Sequence, residues 1–244
     1  MSPTSSATVS PDTAPLTHRI GFVGDSGVGK TTVATLVAAR LAERTGVTAT
    51  GDTAQIVGHC AHRDDALGIE WTVDDCPSGV DALNACADRL DTVFIVATPE
   101  TLGSVEAYAD RAHYHGVDCF LVVNRFQESA RDQLRAFGGP EPAEYIYDDA
   151  DVSAAITAGR VPTLPERTVE AILIEALQPE RLSTEQAVAA LESGEHSIVN
   201  VEAESRNTAE SVLNTFETAG FFAAYFDCNC RCHDGHVLAR VSQG

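Results

Sequence analysis

From residue 19 onward, short apolar runs alternate with longer stretches in which apolar residues recur every three or four positions. Arg19–Val23 reads as a strand and Thr32–Glu43 as an amphipathic helix. Gly46–Gly51 reads as a second strand, followed by Asp52, and His59-Cys60-Ala61-His62 as a polar loop. Ile69–Val73 is a third strand that leads into Asp74-Asp75-Cys76-Pro77-Ser78-Gly79. Thr92–Ala97 is a wholly apolar strand ending at Thr98-Pro99-Glu100, and Leu102–His115 has helical spacing. Val117–Val123 is another buried strand that closes on Asn124-Arg125. Gln127–Phe137 then reads as helix, Glu144–Tyr147 as strand, and Asp151–Ala158 and Glu166–Leu177 as helices. Continuously apolar strands separated by helices predict an α/β fold with a doubly wound, mostly parallel sheet. Functional residues in such folds lie at the carboxyl ends of strands, where Gly24, Asp52, Asp75, Pro99 and Asn124 all fall.

Gln178-Pro179-Glu180 interrupts this alternation. Beyond it, Thr184–Glu192 and Thr208–Ala219 have helical spacing, Ser197–Ala203 reads as a strand, and Phe221–Cys232 with His236–Val241 as a hairpin. The expected organisation is a disordered tail over 1–17, a main domain over 18–178 and a small α+β domain over 182–244. The tail has neither the basic nor the apolar stretch of a secretion signal, and no run is apolar enough to span a membrane, so a cytoplasmic location is expected.

The turn after the first strand carries the clearest chemistry. Gly24-Asp25-Ser26-Gly27-Val28-Gly29-Lys30-Thr31, followed by Thr32, is the pattern G-x-x-x-x-G-K-T between a strand and a helix. A glycine-rich turn at a helix N-terminus aims backbone N–H groups at a phosphate. Lys30 would then reach the phosphate oxygens as a point charge, and the Thr31 hydroxyl would ligate Mg²⁺. Composition sharpens this. The chain has 36 Asp and Glu against 16 Lys and Arg, a net charge of −20, and its single lysine is Lys30. High acid content with lysine depletion resembles halophile proteins, whose molar salt shrinks the Debye length to about 3 Å and screens self-repulsion. Such a charge opposes binding to nucleic acid or an anionic membrane.

Four segments together resemble the MinD/ParA/CooC class of P-loop ATPases over about Arg19 to Leu177. They are the P-loop itself, Asp75-x-Pro-x-Gly79, Val96-Ala97-Thr98-Pro99-Glu100, and Leu121-Val122-Val123-Asn124-Arg125; Arg160-Val161-Pro162 is similar to a further segment near the base. The resemblance implies ATP and Mg²⁺ as ligands, Asp75 in the metal shell, the Gly79 amide as γ-phosphate sensor, Asn124 and Arg125 at adenine, Lys30, Asp52 and Asp75 as catalytic groups, and a homodimer or client protein as partner. Asp52 would orient the attacking water. Asp25-Ser26-Gly27 departs from the class, which carries its first lysine there and uses it across a dimer interface; Arg63 or Arg125 would have to stand in. GTP is disfavoured because the chain lacks a second lysine for the guanine-reading N/T-K-x-D, and Asn124-Arg125-Phe126-Gln127 lacks its carboxylate.

The seven cysteines, without a secretion signal, point to free thiols or metal ligands. Cys228, Cys230, Cys232, His233 and His236 invite a Zn²⁺ or iron–sulfur reading. Asp234-Gly235 is instead a two-residue hairpin turn signal, pairing His233 with His236, Cys232 with Val237, Cys230 with Ala239 and Cys228 with Val241. On that register the thiols share one face and pack as small hydrophobes, while the imidazoles face away. Core packing, a metal site and redox sensing all remain open. Cys86 and Cys119 fall on buried faces, and His113 and His115 close a helix.

Two functions follow as expectations. One is an ATP-hydrolysing switch of the resembled class, serving metal or cofactor maturation, or else partitioning or positioning. The other is a regulatory module that binds nucleotide without hydrolysing it.

Overall fold

The computed structural model describes residues 16–44, 61–158, 160, 166–227 and 235–241. Asp52, His59, Cys60, the strand expected over Gly46–Gly51, and Cys228, Cys230, Cys232 and His233 lie outside the described residues.

β1 (Leu16–Val23) is exposed over its first half and buried over its last four residues, as a strand entering a covered sheet must be. α1 (Lys30–Arg44) follows it. β2 (Ala61–Asp64) and β3 (Ile69–Asp75) are joined by a turn of four residues. So short a link permits only an antiparallel pair. Then come α2 (Val80–Cys86), β4 (Thr92–Ala97), α3 (Val105–Tyr114), β5 (Asp118–Phe126), α4 (Arg131–Ala136), β6 (Pro142–Tyr147), α5 (Ala150–Thr157) and α6 (Glu166–Leu177). The strand order is β2-β3-β1-β4-β5-β6, with β1–β4, β4–β5 and β5–β6 parallel. This is the expected α/β class, with the β2–β3 hairpin at one edge.

The residues divide into two compact units. Thr17–Asp64 with Glu70–Leu177 form one; Met1–Leu16, Asp65–Ile69 and Gln178–Gly244 form the other. In the first, one face of the sheet is filled by Val23, Val93, Ile95, Leu121 and Val123 against Leu83, Val105 and Tyr108. A row of rings, Phe22 on Phe94 on Phe120, runs across the strands with centroids 5.6 Å apart at each step. A fully buried Phe contributes roughly 1.5–3 kcal/mol. α1 and α6 are joined by charge: the Glu170 carboxylate, 2% exposed, takes Arg40 at 2.6 Å and Arg44 at 3.1 Å, while Arg44 also meets Asp64 of β2 at 3.1 Å.

The second unit adds β7 (Glu180–Arg181), α7 (Thr184–Ser193), β8 (Ile198–Ala203), α8 (Arg206–Thr218), β9 (Phe222–Asp227) and β10 (Gly235–Arg240). Its sheet runs β7-β8-β10-β9. α7 starts at a capping box in which Ser183 accepts from the Gln186 amide, and α8 starts at Ser205. α7 packs on β8, and α8 on β8, β9 and β10, around a core that includes Val199, Val201, Ala223, Val237 and Ala239.

Several expectations need correcting. β1 begins at Leu16, inside the segment read as tail. His62 is buried within β2 rather than placed in a polar loop. α2 and β7 have patterns too short to register as periodic. Cys86 is buried as expected, whereas Cys119 is half-buried. The register expected from a two-residue hairpin at Asp234-Gly235 is not the one observed between β9 and β10. Gly235 lies within β10 opposite Asp227, Val237 faces Tyr225 and Ala239 faces Ala223. The reason is tertiary. This register sets Val237 and Ala239 on the helix face and lets Arg240 donate to the carbonyls of Leu67 and Gly68 while stacking on Phe222 at 4.8 Å.

Replacing Glu170 by Ala removes a buried carboxylate that two arginines share. A loss of about 3 kcal/mol is expected from equilibrium denaturant unfolding in high salt, since breaking a buried ion pair costs about 3–5 kcal/mol and each arginine keeps a second carboxylate.

Candidate functional site

The glycine-rich turn leaves β1 between β3 and β4, where the carboxyl ends of the parallel strands converge. Gly24, Gly27 and Gly29 have φ of +146°, +81° and +93°, a region that L side chains rarely adopt. A Cβ on Gly24 would strike the Val96 carbonyl, and one on Gly29 would strike the Asn124 amide. The sequence therefore needs glycine at both places, and the turn lies directly on the ends of β4 and β5. Asn124, 5% exposed, donates from Nδ2 to the Val28 carbonyl at 2.8 Å, so the end of β5 holds the loop's backbone. Ser26 and Gly27 are exposed, Val28 is buried, and Thr32 is partly exposed.

Lys30 opens α1 and is 7% exposed. Its Nζ donates to the Asp25 carbonyl at 2.9 Å and to Ser78 Oγ at 2.8 Å. Burial pulls the ammonium below its ordinary pKa, opposed by the negative charges of Asp75 and Asp25. Thr31 donates its hydroxyl to Asp75 Oδ2 at 2.6 Å. The other oxygen, Asp75 Oδ1, is buried without a hydrogen-bond partner. Buried carboxylate oxygens rarely lack a partner, so this one fits a divalent cation placed beside the Thr31 hydroxyl.

The segment after β3 lies on the loop as well. The Cys76 amide donates to Phe22 O at 3.1 Å, and the Gly79 amide lies 3.3 Å from Gly24 O and 3.1 Å from Tyr108 Oη. Tyr108 in turn donates to Asp25 Oδ1 at 3.0 Å. Burial pushes the tyrosine hydroxyl well above its ordinary pKa, with Asp25 adding to the effect, so it stays protonated. Burial likewise pushes the Cys76 thiol far up, with Cys86 next to it as the second cause.

Lys30, Thr31, Asp75, Gly79 and Asn124 are thus brought together around one turn. Arg125 is exposed, with φ of +55° at an irregularity in β5. Thr98-Pro99-Glu100 begins a short 3₁₀ segment capped by the Thr98–Thr101 box. His236 is buried with its Nδ1 within 3.0 Å of the Asn200 amide, and no group of three His, Cys, Asp or Glu side chains among the described residues could hold a metal ion. The sequence reading missed Ser78 and Tyr108. Tyr108 had one signal: a phenol at i+3 from Val105 and i−4 from Ala112 on a buried stripe, where its hydroxyl must find a partner.

A glycine-rich strand–turn–helix at the carboxyl edge of a mostly parallel sheet is the P-loop NTPase arrangement. No protein-family model matches the chain, and no curated protein sequence matches it. Among solved structures it is similar to Sup35 complexed with GMPPNP (14% identity, TM-score 0.34), covering 50% of this chain but only 32% of that one. It is similar to the FeoB G-domain from Methanococcus jannaschii (17%, TM-score 0.35; 67% and 96% covered). It is also similar to the cytosolic domain of the T. maritima FeoB iron transporter in GMPPNP form (14%, TM-score 0.40; 72% and 73% covered). Likeness at this level bears on neither ligand nor partner. No helix among the described residues is long and apolar enough to cross a membrane.

Because only the thiolate reacts, Cys76 is expected to stay unmodified by iodoacetamide at pH 8 in the folded protein and to be alkylated once the chain is unfolded; peptide mass spectrometry reads both states.

Proposed function

We propose that this chain is a Mg²⁺-dependent nucleotide-binding switch that takes ATP and hydrolyses it. The observation that carries the reading is the orphaned Asp75 Oδ1 beside the Thr31 hydroxyl, one residue from a buried lysine at a helix N-terminus. Lys30 and the amides from Gly24 to Thr32 would hold the polyphosphate, and Thr31 with Asp75 would hold Mg²⁺ and its water shell. Bound there, the cation would neutralise charge on the terminal phosphate oxygens. The chain's own contribution is positional. Gly24 and Gly29 let the backbone approach closely, Asn124 fixes the loop through Val28, and Lys30 keeps an ammonium where solvent is largely excluded.

Two features support ATP over GTP. The segment Asn124-Arg125-Phe126-Gln127 ends on an amide rather than a carboxylate, and the chain has no second lysine. An amide offers one donor and one acceptor, as the adenine edge requires, whereas guanine presents two donors that suit a carboxylate. In the resembled MinD/ParA/CooC class, nucleotide state is read by a second copy or a client, and the same is proposed here. A second reading, binding without turnover, draws on Asp25, a carboxylate inside an anion-holding loop.

Titration with labelled, non-hydrolysable ATP and GTP analogues in multimolar KCl is expected to show saturable, Mg²⁺-dependent uptake with ATP preferred. Lys30→Ala should weaken it by two orders of magnitude or more, and Asp75→Asn should lower the benefit of Mg²⁺ by about 10–100-fold. Phosphate release that Lys30→Ala abolishes supports the ATPase, tight uptake without release supports the module, and no saturable uptake of either nucleotide sinks both.

A further inference from the structure

Asp25 is the one charged side chain within the glycine-rich turn that does not help an anion to bind, and the structure gives it a partner. Tyr108, fully buried on α3 amid Val105, Ala112 and Leu102, donates to Asp25 Oδ1 at 3.0 Å. The same hydroxyl oxygen accepts the Gly79 amide at 3.1 Å, and Gly24 O takes that amide more weakly at 3.3 Å. One residue earlier, Ser78 Oγ takes the Lys30 ammonium at 2.8 Å. The segment after β3 therefore closes on the turn through neighbouring residues: Ser78 on the cation, and Gly79 on Tyr108 and through it on the carboxylate.

Lys30 Nζ has three donors and two acceptors in place, so a phosphate oxygen that takes the third or replaces Ser78 Oγ comes up against this segment, whose next backbone donor is the Gly79 amide. Gly79 has φ of +99°, a conformation that glycine adopts without strain, and nothing stands within 4 Å of where a Cβ would be. What holds the amide away from a ligand is its hydrogen bond to Tyr108 and, more weakly, that to Gly24 O. Only the outermost phosphate would reach past Ser78; a ligand one phosphate shorter would leave the Tyr108–Gly79 bond in place.

We propose that Tyr108 is a positioning residue that sets the discrimination between nucleoside triphosphate and diphosphate, by competing with the terminal phosphate for the Gly79 amide under the control of Asp25. This rests on the nucleotide-binding reading above and deepens it. Tyr108 acts through Gly79 and touches no ligand itself. Asp25 has two separable effects: its charge repels any polyphosphate, and its oxygen anchors the tyrosine hydroxyl.

The test measures dissociation constants for the Mg²⁺ complexes of the imido analogue of ATP and of ADP, in wild type, Tyr108→Phe and Asp25→Asn, with thermal unfolding as the control for fold. Phe keeps the ring and removes the hydroxyl. Losing one hydrogen bond that only the diphosphate-bound form retains should raise the preference for triphosphate by roughly threefold to tenfold. Asn keeps an acceptor and removes the charge, so both analogues should bind several-fold more tightly, the more highly charged triphosphate gaining the more. A ratio within twofold of wild type in a folded Tyr108→Phe protein overturns the role of Tyr108 and leaves nucleotide binding standing. Absence of saturable uptake of both analogues by wild type overturns the binding reading and this inference together. Should Tyr108→Phe not fold, Asp25→Ala compared with Asp25→Asn removes the anchor from the other end: a higher triphosphate preference in the Ala variant supports the role, and equal ratios overturn it.

Discussion

The buried ammonium of Lys30 is the constraint around which this site is arranged. A lysine taken out of water loses hydration that only close acceptors can replace. The structure supplies the Asp25 carbonyl, the Ser78 hydroxyl and the negative charges of Asp75 and Asp25. Those acceptors come from both sides of a turn that must double back within a few residues, which is why three glycines with positive φ stand between Val23 and Lys30. The turn can lie this close to the sheet because the ends of β4 and β5 meet it with a carbonyl and an amide rather than with bulky side chains.

The geometry of the rest follows from keeping that turn still. β1 is held parallel to β4 from Ile20 opposite Thr92 to Val23 opposite Ile95, so the turn starts from a fixed strand end. α1 carries the turn away and is tied at its far end by Arg40 and Arg44 to Glu170 of α6 and Asp64 of β2. That network sits mostly inside, where its charges are weakly screened even in high salt. Interior pairs of this kind contribute more than pairs on the surface, which exchange little net energy with water.

Asp25 changes meaning between the two levels of description. As a letter in the sequence it is a departure from the resembled class, a negative charge where a cation is usual. In the structure it is the acceptor for a buried phenol whose oxygen holds the next segment's amide. The same residue that weakens anion binding therefore gives the loop a mechanical link to Gly79. A lysine at position 25 could not accept from Tyr108.

Local chemistry made the alternation of strand and helix legible in the sequence, along with the P-loop, the apolar run Thr92–Ala97 and the placing of Asp75 and Asn124 at strand ends, because backbone period and glycine conformational freedom are properties of neighbouring residues. The β2–β3 hairpin at the sheet edge, the brevity of α2, the register of β9 on β10 and the Tyr108–Asp25 pair were not legible. Each is decided by partners far along the chain: Tyr108 reaches across 83 positions to Asp25, and Arg240 across 172 to Gly68. A hairpin turn signal at Asp234-Gly235 is only a local preference, and the register that buries Val237 and Ala239 in the core beneath α8 outweighs it. The sequence by itself determined which residues could hold a phosphate; the tertiary structure decided what holds those residues, because packing and long-range hydrogen bonds leave no periodic trace in the chain.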